Sequence, residues 1–236
     1  MRYLRFILLC CCSVVFADSP NSFAQAKKIV TQLFEAHPRT IYCGCSFKGK
    51  TVDLNSCGMH LADSKPRAHR IEVEHVVAAE HFGQQFACWR EPLCTDNKGH
   101  PFKGRRCCQK IDERFRHMEA ELYNLWLESG LVNQARSNYR FGVVPNQEDY
   151  FGCSIKIDKS TRRVEPSDQT KGIVARAYLF MSDHYALPLS KQQEQLFRAW
   201  NKQFPPTEWE HQWANQVAQI EGYPNPYITK WTKDAA

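Results

Sequence analysis

Apolar residues recur at helical spacing in several segments of the chain. In residues 24–34, four apolar side chains fall on one helical face. In residues 111–125, apolar positions follow one another at intervals of four, three, four and three, which predicts one helix across the whole segment. Residues 172–185 have the composition of a mostly buried helix.

The C-terminal part carries two capping-box patterns, in which a hydroxyl residue is followed three positions later by Gln or Glu. Ser190 with Gln193 and Thr207 with Glu210 precede segments of helical periodicity, and such pairs satisfy backbone N–H groups at a helix start. Gly222 suits the left-handed position that ends a helix. The tryptophans of these segments follow the spacing of a packed face, so we predict that they lie in the core and do not stack on bases.

The remaining segments indicate strands and irregular structure. Residues 70–77 have the β-branched composition of a strand. Residues 41–57 predict a cross-linked loop or short hairpin, and residues 87–110 an irregular segment held by disulfides. Residues 141–170 alternate between strand-like pieces and turns. Since the chain has no evident linker or internal repeat, we predict a single α+β domain with a helical C-terminal part.

The N-terminus has the pattern of a secretory signal peptide. Arg2 and Arg5 flank the start of an apolar run that ends at the small residue Ala17, and this run is too short to span a bilayer. We therefore predict a signal peptide over residues 1–17 and one mature domain over residues 18–236. No later segment is apolar for long enough to cross a membrane, so we predict an exported protein, periplasmic or secreted, with no membrane partner.

The cysteines indicate disulfide bonds. Eight of them follow the predicted signal peptide: Cys43, Cys45, Cys57, Cys88, Cys94, Cys107, Cys108 and Cys153. An even number in an exported chain is typical of disulfides. A zinc site is the alternative, but the spacings of Cys43 with Cys45 and of Cys107 with Cys108 are not those of paired zinc ligands. Many pairings are possible, so the connectivity stays open.

The chain is mildly basic. Its formal net charge is +6 at pH 7, and loss of the two arginines of the signal peptide makes it +4. Such an excess suits a polyanionic partner without identifying one. Two basic clusters could contact phosphates, the first in a loop that glycines and cysteines would rigidify, the second equally consistent with a solvated face. The first comprises Lys98, Lys103, Arg105 and Arg106, and the second Lys156, Lys159, Arg162 and Arg163.

The sequence EVEHVVAAEH, which begins at Glu72, combines acids with histidines. A zinc peptidase places its ligands one helical turn apart, whereas Glu80 and His81 follow His75 by five and six residues. Glu74 and His75 suit a different chemistry, because a carboxylate binds a hard cation such as Mg²⁺ and a neutral imidazole can take a proton from water. Such a pair is by itself more common at a strand edge than in an active site. We interpret Glu72, Glu80 and His81 as residues of a solvated face.

Short motifs run in one order over nearly all of the mature chain. They are Tyr42-Cys-Gly-Cys45, Arg70-Ile-Glu-Val-Glu-His-Val-Val77 with Phe82-Gly83, Gly104-Arg105, His117-Met-Glu119, Tyr123-Asn-Leu125, Val132-Asn133, Tyr150-Phe-Gly-Cys153, Leu189-Ser-Lys-Gln-Gln193 with Ala199-Trp-Asn-Lys202, and Gly222-Tyr-Pro-Asn-Pro-Tyr227. In this order they resemble the bacterial endonuclease I family of secreted and periplasmic nucleases. The resemblance implies a core with a ββα-metal (His-Me finger) site.

The resemblance also implies roles for individual residues. Glu74 resembles a carboxylate ligand of a single Mg²⁺, and Asn133 resembles its amide-oxygen ligand. His75 resembles the general base that activates water, and Arg105 resembles the arginine that grips the scissile phosphate. Glu119 is a candidate for an accessory role, with a helix salt bridge as the equal alternative.

The activity implied is that of a non-specific endonuclease. A monomer with one Mg²⁺ per active site is expected to hydrolyse double- and single-stranded DNA, and also RNA, to 5′-phosphate products. Contacts mainly to phosphates would explain the lack of sequence preference, since sequence information lies on the base edges.

Several residues depart from the family pattern. Ala78 stands where Pro is usual, Val73 where Trp is usual, and Tyr123 where His is usual. Gln134 and Ala135 replace the Gly-Asp that follows the metal-binding Asn, a change that would weaken metal binding or slow the reaction. One alternative is therefore a catalytically weakened relative of the same fold that binds nucleic acid or a protein. A second alternative is a zinc hydrolase that uses both histidines of the EVEHVVAAEH segment.

Overall fold

A computed structural model describes residues 19–232; the predicted signal peptide, residues 1–17, lies outside them. The helices are α1 (Phe23–Leu33), α2 (Ala79–Gly83), α3 (Ala87–Arg90), α4 (Arg105–Ile111), α5 (Glu113–Ala120), α6 (Gly130–Arg136), α7 (Asp168–Tyr185), α8 (Lys191–Gln203), α9 (Glu208–Glu221) and α10 (Pro226–Thr229). The strands are β1 (Phe47–Lys48), β2 (Thr51–Val52), β3 (Ile71–His75), β4 (Cys94–Thr95), β5 (Pro101–Phe102), β6 (Leu125–Ser129), β7 (Arg140–Phe141), β8 (Asp149–Tyr150), β9 (Cys153–Asp158) and β10 (Arg163–Glu165). The predicted α+β class is confirmed.

The centre of the fold is an antiparallel strand pair followed directly by a helix. In the pair of β3 with β6, Glu74 lies opposite Trp126 and His75 opposite Leu125. The chain leaves β6 at Ser129 and enters α6 at Gly130 without a loop. This ββα unit is the predicted core.

The predicted helix over residues 111–125 is wrong in its second half. α5 ends at Ala120, Glu121 leaves the helical region with a ψ of 113°, and a 3₁₀ turn over Leu122–Asn124 leads into β6. All five residues of β6 are buried. Of the residues that predicted this helix, Leu122 lies in the 3₁₀ turn and Leu125 begins β6, so these two continued the helical spacing by coincidence.

The other helix predictions are confirmed. α1 covers residues 23–33, and α7 contains the predicted segment. Ser190 Oγ accepts from the Gln193 N–H at 3.2 Å, and Gly222 ends α9 with a φ of 82°. Of the predicted core tryptophans, Trp200 and Trp213 are buried.

The C-terminal helices are joined to the rest of the domain by a buried ion pair. Thr207 Oγ1 accepts from the Glu210 N–H at 3.1 Å, as the capping box predicts. The Glu210 carboxylate does not close the box; it accepts two 2.6 Å bonds from Arg176 on α7. Both side chains are almost fully buried, so breaking this pair would leave an unpaired charge in the core.

All eight cysteines form disulfides, as predicted. The pairs are Cys43–Cys153, Cys45–Cys57, Cys88–Cys108 and Cys94–Cys107. The first two hold the β1–β2 hairpin and connect its approach to the four-stranded sheet β7-β10-β9-β8. The last two tie α3 and the β4–β5 hairpin to α4. Within residues 19–232, no helix is both long and apolar enough to cross a bilayer.

Candidate active site

Glu74 and His75 end strand β3 at a turn that buried side chains hold in place. Asn124 clamps Val77, with its Oδ1 accepting from the Val77 N–H at 2.6 Å and its Nδ2 donating to the Val77 carbonyl at 3.0 Å. From α6, Arg136 donates through Nη1 to the His75 carbonyl at 2.8 Å and through Nη2 to the Val76 carbonyl. These bonds fix the direction in which the chain leaves the strand.

Glu74 is a buried carboxylate between a phenol and a guanidinium. Its Oε1 accepts from the Tyr42 hydroxyl at 2.8 Å and lies 3.1 Å from Arg136 Nη1. Burial raises the pKa of Glu74, while the charge of Arg136 and the hydrogen bond from Tyr42 act in the opposite direction. Because both side-chain contacts use Oε1, they do not occupy Oε2.

His75 is held by a backbone carbonyl and kept neutral by its surroundings. Its Nε2 lies 2.9 Å from the carbonyl oxygen of Glu119, and its ring centroid is 4.6 Å from that of Phe23. A carbonyl only accepts, so Nε2 carries the proton and Nδ1 has the free lone pair. Burial, together with the cation of Arg105, lowers the pKa of His75 to about 3.

Arg105 is the first residue of α4, not a loop residue, and it faces Glu119. Its Nε donates to Oε1 of Glu119, a carboxylate that is 1% exposed and that also accepts from Gln109 Nε2 at 2.8 and 2.9 Å. The Arg105 guanidinium lies 5.0 Å from the Phe23 ring centroid. Its Nη2 is buried and has no hydrogen-bond partner among the described residues. A buried donor left without a partner is costly, and an anion such as a phosphate oxygen would satisfy it.

Asn133 lies on α6, where Glu72 orients its amide. Asn133 Nδ2 donates to Glu72 Oε2 at 3.2 Å, and Glu72 also pairs with Arg67 at 2.9 Å and Arg70 at 2.7 Å. Although burial opposes ionisation of Glu72, these two arginines lower its pKa overall. The interpretation of Glu72 as a solvated-face residue is therefore wrong. Glu72 binds the Nδ2 end of the Asn133 amide, which leaves Oδ1 of Asn133 as the atom that could bind a cation.

Side-chain and backbone contacts connect the four predicted site residues in two groups, one of His75 with Arg105 and one of Glu74 with Asn133. Glu74 and His75 are consecutive, and Glu119 joins His75 to Arg105 by binding one through its carbonyl and the other through its carboxylate. α6 brings Asn133 to Glu72 and, one turn later, Arg136 to Glu74. Glu72 and Glu74 share a face of β3 because side chains alternate along a strand.

Three contributions to this region were not predicted. Tyr42 and Arg136 bind Glu74, and the Glu119 carbonyl orients His75. Tyr42 was visible only as the first residue of the Tyr-Cys-Gly-Cys motif. A backbone carbonyl leaves no trace in side-chain chemistry, so the contact to His75 had no sequence signal at all.

Glu80 and His81 are structural residues and not members of a solvated face. Glu80 accepts from Asn138 Nδ2. His81 Nε2 donates to the Asn138 carbonyl at 2.9 Å, and Nδ1 lies 3.2 Å from the Tyr178 hydroxyl. Both nitrogens of His81 are thus engaged away from His75, which argues against a zinc site shared by the two histidines.

Replacing His81 by glutamine is expected to change stability more than nuclease activity. Burial lowers the pKa of His81 to about 4, so the neutral ring contributes stability above its ordinary pKa of about 6.5, and this contribution is lost as the pH falls toward 4. The stability advantage of the wild type over the variant should shrink by about 2 kcal/mol between pH 7 and pH 4.5. Urea unfolding at both pH values measures it, and an advantage independent of pH would contradict the prediction.

The described residues contain no group of three or more His, Cys, Asp or Glu side chains arranged to hold a metal ion. A cleft of about 1150 Å³ lies beside Tyr42 and Trp126 and is not lined by Glu74, His75 or Asn133. Neither His75 nor Arg105 lines this cleft, so the candidate site lies outside it.

Comparison with known proteins gives one consistent family. The family model for endonuclease I matches residues 15–231. An extracellular deoxyribonuclease of Aeromonas hydrophila is 38% identical over 220 residues, which is 91% of this chain and 90% of the relative. A periplasmic deoxyribonuclease of Aeromonas hydrophila is 38% identical over 91% of this chain and 88% of the relative. Endonuclease-1 of Buchnera aphidicola subsp. Baizongia pistaciae is 38% identical over 88% of this chain and 83% of the relative. Together with the four disulfides, the extracellular and periplasmic designations confirm the predicted export. The chain therefore belongs to the endonuclease I family.

Proposed function

We propose that this protein is an exported, Mg²⁺-dependent endonuclease that hydrolyses DNA and RNA with little sequence preference and leaves 5′-phosphates. The names of the relatives motivate DNA as the substrate. The observation that carries the proposal is the pairing of a neutral, oriented His75 with an unpartnered guanidinium nitrogen of Arg105, both attached to Glu119. This is a base beside an anion-binding donor, as phosphodiester hydrolysis requires.

The side chains available to a metal ion are of the kind that Mg²⁺ prefers. Glu74 would contribute carboxylate oxygen and Asn133 its amide Oδ1, which Glu72 leaves as the free end of the amide. When bound, the ion neutralises negative charge that develops on the phosphoryl and leaving oxygens. Arg136 and Tyr42 hold the Glu74 carboxylate in place.

His75 acts as the general base. Its Nε2–H stays on the Glu119 carbonyl, so Nδ1 accepts a proton from a water molecule. The resulting hydroxide attacks phosphorus, the bond from phosphorus to O3′ breaks, and O3′ takes a proton from solvent. A low pKa keeps the imidazole free of its second proton before the reaction, and the hydrogen bond to the Glu119 carbonyl favours the protonated ring as the proton arrives.

Arg105 positions the phosphate. Its Nε is held by Glu119, which directs the fork of the guanidinium, and the unpartnered Nη2 donates to a non-bridging oxygen. Glu119 is therefore a positioning residue for both His75 and Arg105. These contacts concern phosphate and not bases, which accounts for weak sequence preference and for acceptance of RNA. The unit is complete within one chain, which suits a monomer.

Removal of Asn133 tests the metal site with little disturbance to the fold. Asn133→Ala is expected to raise the Mg²⁺ concentration for half-maximal plasmid degradation at least about tenfold, since changes around a metal ligand alone cost about 10–100-fold. The wild type should lose activity in a chelator and regain it with excess Mg²⁺. The matched control is Gln134→Ala, one residue further along α6 and exposed. If Asn133→Ala and Gln134→Ala have the same Mg²⁺ requirement, Asn133 is not a ligand.

The same assay separates a nuclease from a weakened relative that only binds. If the oxidised wild type leaves plasmid intact at every Mg²⁺ concentration, the proposed function fails. In that case DNA binding without cleavage would identify the weakened relative.

A further inference from the structure

A basic recess lies next to α4 and is not part of the site described above. Its volume is about 510 Å³, and we call it the flanking recess, defined by the side chains of Lys98, His100, Phe102, Arg106 and Lys110. Lys98 and His100 come from the turn between β4 and β5, and Arg106 and Lys110 come from α4. Four basic side chains from two elements therefore face one concave surface.

The walls of the flanking recess are fixed. Asp96 Oδ1 accepts from the backbone N–H groups of Lys98 and His100 at 2.8 and 2.9 Å, which holds the hairpin turn in shape. The disulfide Cys94–Cys107 ties this hairpin to α4, directly after Arg106. The Arg106 guanidinium lies 5.7 Å from the Phe102 ring centroid. A guanidinium braced on an aromatic ring loses less freedom when it binds an anion.

The flanking recess carries an excess of positive charge. Among the described residues that line it, Asp96 is the one acid, against Lys98, Arg106 and Lys110. Asp96 Oδ2 also lies 3.3 Å from His100 Nδ1, so part of its charge is used within the turn. The remaining lysine of this loop, Lys103, does not contribute, because its Nζ donates to the Arg90 carbonyl at 2.9 Å.

The position of the flanking recess relates it to the scissile phosphate. Arg105 faces the proposed active site and Arg106 faces the recess, and neighbouring residues of a helix point about 100° apart. The two arginines thus cannot grip one phosphate together. They are suited to two separate phosphates of one strand.

We propose that the flanking recess binds a phosphate of the same nucleic-acid strand one or two nucleotides from the bond that is cleaved. This inference rests on the proposed function, and it assigns substrate binding, not chemistry, to Lys98, Arg106 and Lys110. The recess binds the phosphate backbone of the nucleic acid through its positive charge and the guanidinium group of Arg106. It therefore adds affinity for nucleic acid without adding sequence preference.

The double variant Lys98→Ala/Arg106→Ala tests the recess by separating binding from turnover. Its KM for a 20-base-pair duplex should rise about tenfold, as expected for lost charge-assisted bonds, with kcat at saturating duplex unchanged. In a His75→Ala background, fluorescence anisotropy should show weaker duplex binding and a log–log salt slope smaller by about 1. Lys98→Ala alone, at an exposed turn, should give part of the same effect without risk to α4.

The control is Lys191→Ala/Lys202→Ala, which removes two exposed lysines from α8. Equal losses in the two double variants would show that only net charge matters and would overturn the proposal, as would unchanged binding in the recess variant. A fall in kcat would place these residues in the chemical step and would also overturn it. If the wild type does not cleave DNA, the proposed function fails, while the anisotropy comparison still decides whether the flanking recess binds the strand.

Discussion

His75→Ala is expected to lower kcat for plasmid cleavage by about 10²–10⁴-fold, the usual contribution of a positioned general base. The loss should be in kcat and not in KM, because His75 is buried and its one ring N–H is used by the Glu119 carbonyl, so it has none to offer to a phosphate. Removal of the ring also leaves the Glu119 carbonyl without its donor. Initial rates over a range of duplex concentrations, at saturating Mg²⁺, give the two constants separately.

Two controls make this result specific to the base. His60→Ala removes an exposed histidine outside the site and should leave kcat unchanged. Added imidazole should restore part of the rate to His75→Ala, because the deleted side chain leaves space beside Phe23 and Phe82 for a free ring. A variant that keeps more than a tenth of the wild-type kcat would mean that another group activates the water.

Periodicity predicted the helices well where a single face is buried. α1, α8 and α9 each carry one apolar face, and the starts of α8 and α9 follow from Ser190 and Thr207. The error at residues 111–125 came from two buried residues, Leu122 in a 3₁₀ turn and Leu125 at the start of β6, that keep the helical spacing without belonging to a helix. Tertiary contacts decide such a segment, because nothing in its own pattern distinguishes a buried strand from a buried helix. The pairing of the cysteines was open for a similar reason, since partners up to 110 residues apart meet only in the folded chain.

The sequence predicted the residues proposed to act on the substrate or the metal ion, but not most of the residues that hold them in position. The family motifs pointed to Glu74, His75, Arg105 and Asn133; the ββα unit carries the first, second and fourth, and Glu119 connects Arg105 to His75. The residues that hold them in position come from distant parts of the chain. Tyr42 lies 32 residues before Glu74, and Glu119 lies 44 residues after His75. Glu72 and His81 look like surface residues in sequence because burial of a charged or imidazole group requires a partner that only the fold supplies.

Reduction of the disulfides is expected to unfold the protein and abolish its activity. Removal of one native disulfide costs about 2–5 kcal/mol, and a domain has about 5–15 kcal/mol in total, so the loss of four exceeds what the fold can spare. Loss of the disulfides would also disturb the proposed active site directly. Cys88–Cys108 and Cys94–Cys107 hold α4, which begins with Arg105, and Cys43–Cys153 holds the segment next to Tyr42.

The sharpest form of this experiment is refolding, since most of these cysteines are buried and a reductant reaches them slowly in the folded protein. Protein that is unfolded and reduced, then diluted into buffer with reductant, should recover neither its far-ultraviolet circular dichroism melting transition nor plasmid cleavage. Protein unfolded with its disulfides intact and diluted in the same way should recover both. The physiological consequence would be a nuclease that stays inactive in the reducing cytosol and folds only after export, which protects the DNA of the producing cell. A reduced chain that regains full activity would show that the disulfides do not restrict the enzyme to an oxidising compartment.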